Sequence, residues 1–213
     1  MAAHSAYKTL RAPASDAFII QKSRFIGCGA PVADEEAALA FLAQVRAAHK
    51  DASHHCYAYI VGLNAGIMRY SDDGEPGGTA GMPIIGVMQA RGVVNAAVVV
   101  VRYFGGVLLG AGGLTRAYAQ GGAVALDAAG VVTMHASCRY WAEVPYTQWD
   151  RVQHALAAAP CVLERTEFTD RVTATLLTRA QDAPALLTLL AQVTDGRAET
   201  LCVEELYHGW AEA

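Results

Sequence analysis

Three stretches of this chain carry side chains whose types and spacing could do chemistry. The first is Arg102-Tyr103-Phe104-Gly105-Gly106-Val107-Leu108-Leu109-Gly110-Ala111-Gly112-Gly113-Leu114-Thr115-Arg116, which follows the apolar segment 96–101. Five glycines, Gly105, Gly106, Gly110, Gly112 and Gly113, fall within nine residues. Glycine at that density lets the backbone approach a partner closely and reach positive φ without strain. A helix that opens there presents free N–H groups and the positive end of its dipole, a natural place for an anion. With Arg102 and Arg116 at its ends, the run predicts a site for a phosphate or a nucleic-acid backbone. Tyr103 and Arg24 are the further candidates to stack on bases or contact phosphates. Tight strand-to-helix packing also favours such glycines, and both readings stand on the pattern alone. The run is neither of the familiar phosphate fingerprints. No Lys-Ser/Thr follows its last glycine, and its spacing is not G-x-G-x-x-G with a downstream acid.

The second stretch is Tyr70-Ser71-Asp72-Asp73-Gly74-Glu75-Pro76-Gly77-Gly78-Thr79-Ala80-Gly81. Asp72, Asp73 and Glu75 could hold a hard cation, although the spacing is not that of an EF-hand. Asp, Gly and Pro are also turn chemistry, and Thr79 is placed to cap a following helix. The third is His54-His55-Cys56. On a strand, His54 and Cys56 share one side while His55 and Tyr57 share the other. The two adjacent imidazoles therefore cannot both bind one metal on a regular strand. No nucleophile–base–orienter set emerges, because Ser71, Thr115 and Cys56 have no activating partner nearby in sequence.

Positioning these groups takes a fold, and the composition allows a substantial core. Of 213 residues, 54% are hydrophobic and 17% charged, which argues against disorder. The net charge of −4 excludes a basic nucleic-acid coat. The charge is uneven: residues 1–130 carry ten Lys/Arg against nine Asp/Glu, and residues 131–213 carry six against eleven. Polyanion contacts are therefore expected on the N-terminal part. The five scattered cysteines contain no CxxC and read as reduced thiols. No apolar leader opens the chain, and no apolar run is long enough to span a membrane, so a cytoplasmic protein is expected.

Periodicity predicts strands over 18–21 and 25–32. Asp34 should cap a helix over 35–48, with Ala38, Phe41, Leu42 and Val45 on one face. Strands over 54–62 and 67–71 pair, and a helix over 81–91 and a strand over 95–104 follow. A helix over 112–129 comes next, in which Gly121 and Gly122 imply close packing on a sheet. Beyond residue 130 the order is strand 136–145, helix 147–158, hairpin 161–168/171–178, helix 182–193 and strand 199–206. That β-α-β-β-α-β order is ferredoxin-like. The class is α+β, with domains over 1–132 and 133–213.

Several of these residues form a linked set: Lys22-Ser23-Arg24-Phe25-Ile26, Ala52-Ser53-His54-His55-Cys56, Ser71-Asp72-Asp73-Gly74-Glu75-Pro76, Gly78-Thr79-Ala80-Gly81 and Val99-Val100-Val101-Arg102-Tyr103-Phe104-Gly105-Gly106. In order and spacing they resemble the IMPACT/YigZ family, strongly over 15–130. The later half is similar to the small ferredoxin-like domain of its bacterial members. The resemblance implies an N-terminal β-α-β fold similar to domain IV of elongation factor G and to a small-subunit ribosomal protein. It implies a C-terminal domain similar to domain V of that factor. One departure is Met82, where the family pattern often has lysine. The expected function is translation-associated regulation through RNA, the ribosome or another phosphate-bearing ligand, without catalysis, metal or cofactor. Two alternatives are a metal-dependent hydrolase, a dipeptidase-like label attached to some relatives, and a protein-interaction module whose acidic C-terminal domain docks a basic partner. A hydrolase of that kind needs Asp72, Asp73, Glu75 and His54 to converge on one ion. The sequence leaves the oligomeric state open.

Overall fold

The structure, a computed structural model, describes residues 5–210. The chain separates into two compact units. One is Tyr7–Thr133, and the other takes in residues 134–210 together with Ser5 and Ala6.

The first unit is built on an antiparallel sheet in the order β2-β3-β6-β4-β5. Its strands are β2 (Ala14–Ile20), β3 (Ser23–Pro31), β4 (His54–Val61), β5 (Ile67–Ser71) and β6 (Ala96–Tyr103). The two-residue turn between β2 and β3 holds Gln21 and Lys22 at positive φ, the geometry of a tight hairpin. The central strand β6 explains the apolar run at 96–101, since both of its faces are covered. Ala96, Val98 and Val100 join a core with the helices α2 (Gly81–Ala90) and α3 (Gly110–Ala129). Ala97, Val99 and Val101 face α1 (Glu35–Ala48).

Asp34 caps α1 as its sequence position predicts, accepting from the Ala37 N–H at 2.8 Å. Ala38, Leu42 and Val45 are its buried face, with Phe41 partly buried beside them. Close approach requires the glycines of α3 and β3. A Cβ on Gly121 would stand 2.6 Å from Val100 Cγ1, and one on Gly27 would stand 2.3 Å from the Gly121 carbonyl oxygen.

The second unit has the expected order: β7 (Val131–Val144), α4 (Tyr146–Leu156), β8 (Cys161–Phe168), β9 (Val172–Arg179), α5 (Ala183–Val193) and β10 (Glu199–Gly209). β7 pairs with both β9 and β10, and β8 pairs with β9. The resulting order, β10-β7-β9-β8, is that of a ferredoxin-like sheet. Ala142, Val144, Val172, Ala174 and Leu176 point to α4 and α5, meeting Trp149, Val152, Leu186 and Leu190.

Three elements depart from the sequence reading, the first being β2, which starts at Ala14 and not at residue 18. A short strand β1 (Ala6–Leu10) lies beside β7, in a segment whose mixed polar residues show no strand pattern. β7 itself starts at Val131, earlier than 136, and runs through the boundary between the units. No helix among the described residues is long and apolar enough to cross a membrane.

Candidate functional site at the start of helix α3

Strand parity decides where the candidate residues go. On β6, Arg102 continues the alternation of Val98 and Val100 and therefore points to the α2/α3 face. It is buried at 5% exposure. Its NH1 donates to Glu75 Oε1 at 2.7 Å, and the Tyr118 hydroxyl donates to the same oxygen at 2.7 Å. The guanidinium also lies 5.5 Å from the Phe25 ring centre and 5.4 Å from that of Phe104. Its Nε is buried without a hydrogen-bond partner. Arg102 is thus not the solvent-facing phosphate contact that its sequence position suggests.

Tyr103, one residue on, faces the other way. Its hydroxyl meets His49 Nδ1 at 3.0 Å, on the side covered by α1. Arg24 pairs in register with Tyr103 and so shares that face. The predicted ligand set is therefore divided: Arg102 and Arg116 belong with α3, and Tyr103 and Arg24 with α1. The His54/His55 pair divides in the same way. The imidazole of His55 meets the His49 carbonyl at 3.0 Å, whereas that of His54 meets the Asp73 carbonyl at 2.9 Å through Nδ1. A carbonyl only accepts, so His54 carries its proton on Nδ1. Its Nε2 then faces Glu75 Oε1, 3.7 Å away.

The three carboxylates of the polar loop diverge. Asp72 accepts from the N–H groups of Gly78, Ala80 and Gly81, at 2.8, 3.0 and 2.8 Å. Asp73 pairs with Arg46 at 2.9 Å and accepts from the His55 N–H at 2.7 Å. Glu75 serves Arg102 and Tyr118. Among the described residues, no three His, Cys, Asp or Glu side chains are grouped to hold a metal. The convergence that a metal-dependent hydrolase needs from Asp72, Asp73, Glu75 and His54 is not what this loop builds. Burial would raise the Asp72 pKa, but the three N–H bonds outweigh it and hold the carboxyl below its usual range.

Asp72 also corrects the expectation for Thr79. The Thr79 hydroxyl donates to the Pro76 carbonyl at 2.6 Å, and Asp72 supplies the carboxylate at the start of α2. Cys56 lies beneath this loop, its thiol donating to the Asp72 carbonyl at 3.0 Å. Burial is the main reason its pKa is pushed up to about 12, so it is no thiolate nucleophile.

The glycine run uses its residues in three ways. Gly105 packs against the β2–β3 turn, where a Cβ would stand 2.1 Å from the Lys22 carbonyl carbon. The Ser23 hydroxyl accepts the Gly105 N–H at 3.1 Å and lies 3.4 Å from Arg102 NH2. Gly106 and Gly110 hold positive φ. Gly112 and Gly113 belong to the first turns of α3, whose N-cap residue Leu109 makes no side-chain cap and whose start receives none from another of the described residues. Arg116 folds back over that turn: its NH1 would be 3.9 Å from a Cβ on Gly112. None of the ion pairs among the described residues involves Arg116.

Beside this helix start lies an open cleft of about 340 Å³, lined among others by His54, Arg102, Phe104, Leu108, Gly110 and Leu114. Phe104 and Leu108 are 48% and 84% exposed. The sequence reading overlooks Tyr118, Ser23 and Phe104. Parity with Phe25 and Arg102 signals Ser23 and Phe104, and Tyr118 shares the buried helix face of Leu114 and Gly121, but both signals require knowing which face the cleft occupies.

The chain matches the model of the Impact N-terminal domain over residues 21–126, the part that carries this cleft. Residues 143–197 match a domain of unknown function, DUF1949. An IMPACT family member from Bacillus subtilis, YvyE, is 32% identical over 193 residues, 91% of this chain and 89% of its own length. YigZ, the Escherichia coli IMPACT family member, is 35% identical over 87% of this chain and 92% of its own. This chain belongs to the IMPACT family. A Thermus thermophilus IMPACT family member shares 41% identity over 84% of this chain and 97% of its own length. A solved structure described as that of a hypothetical protein superposes with a TM-score of 0.61 at 33% identity, covering 95% of this chain and 99% of that one. The family and the two-part α+β fold inferred from the linked motifs are thereby established.

Proposed function

We propose that this IMPACT-family chain is a translation-associated regulatory factor, not an enzyme, that binds RNA, the ribosome or another phosphate-bearing ligand. The observation that carries the reading is the start of α3. A twenty-residue helix begins next to an open cleft without a side-chain cap among the described residues, and Arg116, in none of their ion pairs, folds over its first turn. Free N–H groups and an unpaired guanidinium are what a phosphate requires. The resemblance to elongation factor G directs the reading towards the ribosome, and it does so by analogy of fold.

Sedimentation with purified ribosomes and with bulk RNA, at low and moderate salt, tests it. Salt-sensitive co-sedimentation is expected, and Arg116→Ala should flatten the salt slope by about one phosphate contact. Arg24→Ala probes the opposite face of the sheet. Arg102 is unsuitable as a probe, because its loss strands Glu75 in the core. No co-sedimentation at low salt, or binding indifferent to salt and to Arg116, would overturn the reading.

A second reading, docking of a basic protein through the C-terminal unit, is favoured by that unit's acidic balance. Trp141 and Leu201, paired across β7 and β10 and 50% and 60% exposed, add apolar surface. If Trp141→Ser with Leu201→Ser abolishes co-sedimentation while Arg116→Ala leaves it unchanged, this second reading replaces the first.

A further inference from the structure

Two of the five cysteines lie on paired strands of the second unit, Cys138 on β7 and Cys202 on β10. The register sets Cys202 opposite Tyr140 and Glu205 opposite Cys138. Residues paired across two strands share a face, and so do residues two apart on one strand, so Cys138, Tyr140 and Cys202 project from one side of the sheet. The two cysteines are therefore diagonal neighbours. The ladder is irregular between Cys202 and Glu204, a bulge that Val203 occupies. The two thiols are in hydrogen-bond contact, and the Tyr140 phenol bonds to the Cys138 thiol. Cys202 is exposed, and the half-buried Cys138 lines an open hollow of about 400 Å³ with Glu205 and Tyr207.

We propose that Cys138 and Cys202 form a modification site, a dithiol that a low-molecular-weight disulfide oxidises to a reversible disulfide bond between β7 and β10. Cys202, the exposed thiol, takes the first step. Its thiolate attacks one sulfur of oxidised glutathione, and the other sulfur leaves as reduced glutathione with the proton that Cys202 gave up. The Cys138 thiolate then attacks Cys202 Sγ in the mixed disulfide, and the second glutathione leaves with the Cys138 proton. Two cysteine thiols are oxidised while one small disulfide is reduced to two thiols. Burial chiefly, with Cys202 beside it, holds the Cys138 thiol above its usual range, and the Tyr140 phenol acts the other way. Cys138 therefore suits the second, intramolecular step, where contact with its target offsets a small thiolate fraction.

Geometry selects this pair and makes its bond reversible. Diagonal positions across an antiparallel pair are about 7–8 Å apart, just beyond the Cα separations of about 4.4–6.8 Å that disulfides prefer. The bulge at Val203 supplies the slack to close that gap. The bond so formed is strained and exposed, the kind that glutathione reopens. Cys161 does not compete for Cys138. Thr178 of β9 stands between them, paired with Cys138 on one side and with Cys161 on the other. Cys28 and Cys56 are buried in the first unit.

The test incubates the full reduced chain with oxidised glutathione and follows intact mass and non-reducing peptide maps. Wild type should lose two hydrogens, yield linked Cys138 and Cys202 peptides, and revert in excess reduced glutathione. Cys138→Ser should stop with one glutathionyl group on Cys202. Cys202→Ser should react at least about tenfold more slowly, because the exposed thiol is gone. Cys161→Ser should behave as wild type. Unchanged melting temperatures of the three reduced variants separate lost chemistry from lost fold. A glutathione adduct that persists on wild-type Cys202 without a cross-link would overturn the proposal. So would linkage of Cys202 to Cys161 or to a second chain, undiminished oxidation of Cys202→Ser, or a bond that excess reduced glutathione leaves intact.

Discussion

Helices α2 and α3 both begin after a glycine-rich loop on the same face of the same sheet, yet their starts are built in opposite ways. At α2, Asp72 reaches across the loop and satisfies the Ala80 and Gly81 N–H groups at 3.0 and 2.8 Å. At α3 no side chain among the described residues does this. The acidic loop, rich in groups that resemble catalytic or metal-binding machinery, spends each carboxylate on an internal partner. The glycine loop, almost without polar side chains, has its first N–H groups, at Phe104 and Gly105, bound by Ser53 and Ser23, and brings no carboxylate to the start of α3 among the described residues. Polar residues in a loop are thus weaker evidence of a ligand site than donors without partners.

The largest effect should come from breaking the acidic loop's hold on the core. Glu75→Ala leaves Arg102 buried and uncompensated, and loss of one partner from a buried pair costs about 3–5 kcal/mol. Urea unfolding of the full chain measures it. A loss below about 1 kcal/mol would show that the Arg102–Glu75–Tyr118 cluster does not hold the loop in place.

Next comes the packing that brings α3 to the sheet. Gly121→Ala forces a Cβ against Val100 at 2.6 Å, which should cost about 1–3 kcal/mol of stability by overpacking. An unchanged melting temperature would mean that α3 can withdraw from the sheet without cost, and that the cleft beside it is not rigid.

Asp72→Asn removes the charged cap of α2, with an expected loss of about 0.5–2 kcal/mol at neutral pH. The pH dependence has a definite sign. The folded pKa of Asp72 lies below its ordinary value. Its contribution is therefore complete above the unfolded carboxylate pKa, about 4, and fades as pH falls through the lower folded value. The stability gap between wild type and Asp72→Asn should close in acid. A gap that stays constant down to the acid transition would contradict this cap.

The smallest change, and the one that sharpens the contrast, is Gly112→Glu. Replacing a helical glycine and adding a negative charge in the first turn of α3 should stabilise by about 0.5–1.5 kcal/mol. If α3 gains nothing while Asp72→Asn still harms α2, the start of α3 is already satisfied and the proposed anion site loses its physical basis.

Much of this molecule was legible before any tertiary structure. Asp34 and the apolar spacing after it define α1 to the residue, because an N-cap and a buried stripe are local properties of the sequence. The ferredoxin-like order after residue 131 follows from alternation and periodicity in the same way. β1 escaped notice because the five residues Ala6–Leu10 show no alternation and owe their strand to β7 beside them. Thr79 looked like the cap of α2 because it is adjacent, whereas the true acceptor, Asp72, lies eight and nine residues away from the N–H groups it serves.

The candidate site divides along the same line. Residue types, glycine density and the opposite facing of neighbouring strand residues were all present in the sequence. That Arg102 and Tyr103 cannot share a site follows from strand parity alone. What only the tertiary structure decided is which face α3 covers, that Glu75, 27 residues before Arg102, neutralises it while Tyr118, 16 residues after Arg102, donates to the same Glu75 oxygen, and that Arg116 takes part in no ion pair among the described residues. Burial and charge pairing depend on neighbours distant in the chain. A loop's chemistry therefore becomes readable only once the fold has determined which of its polar groups already have partners.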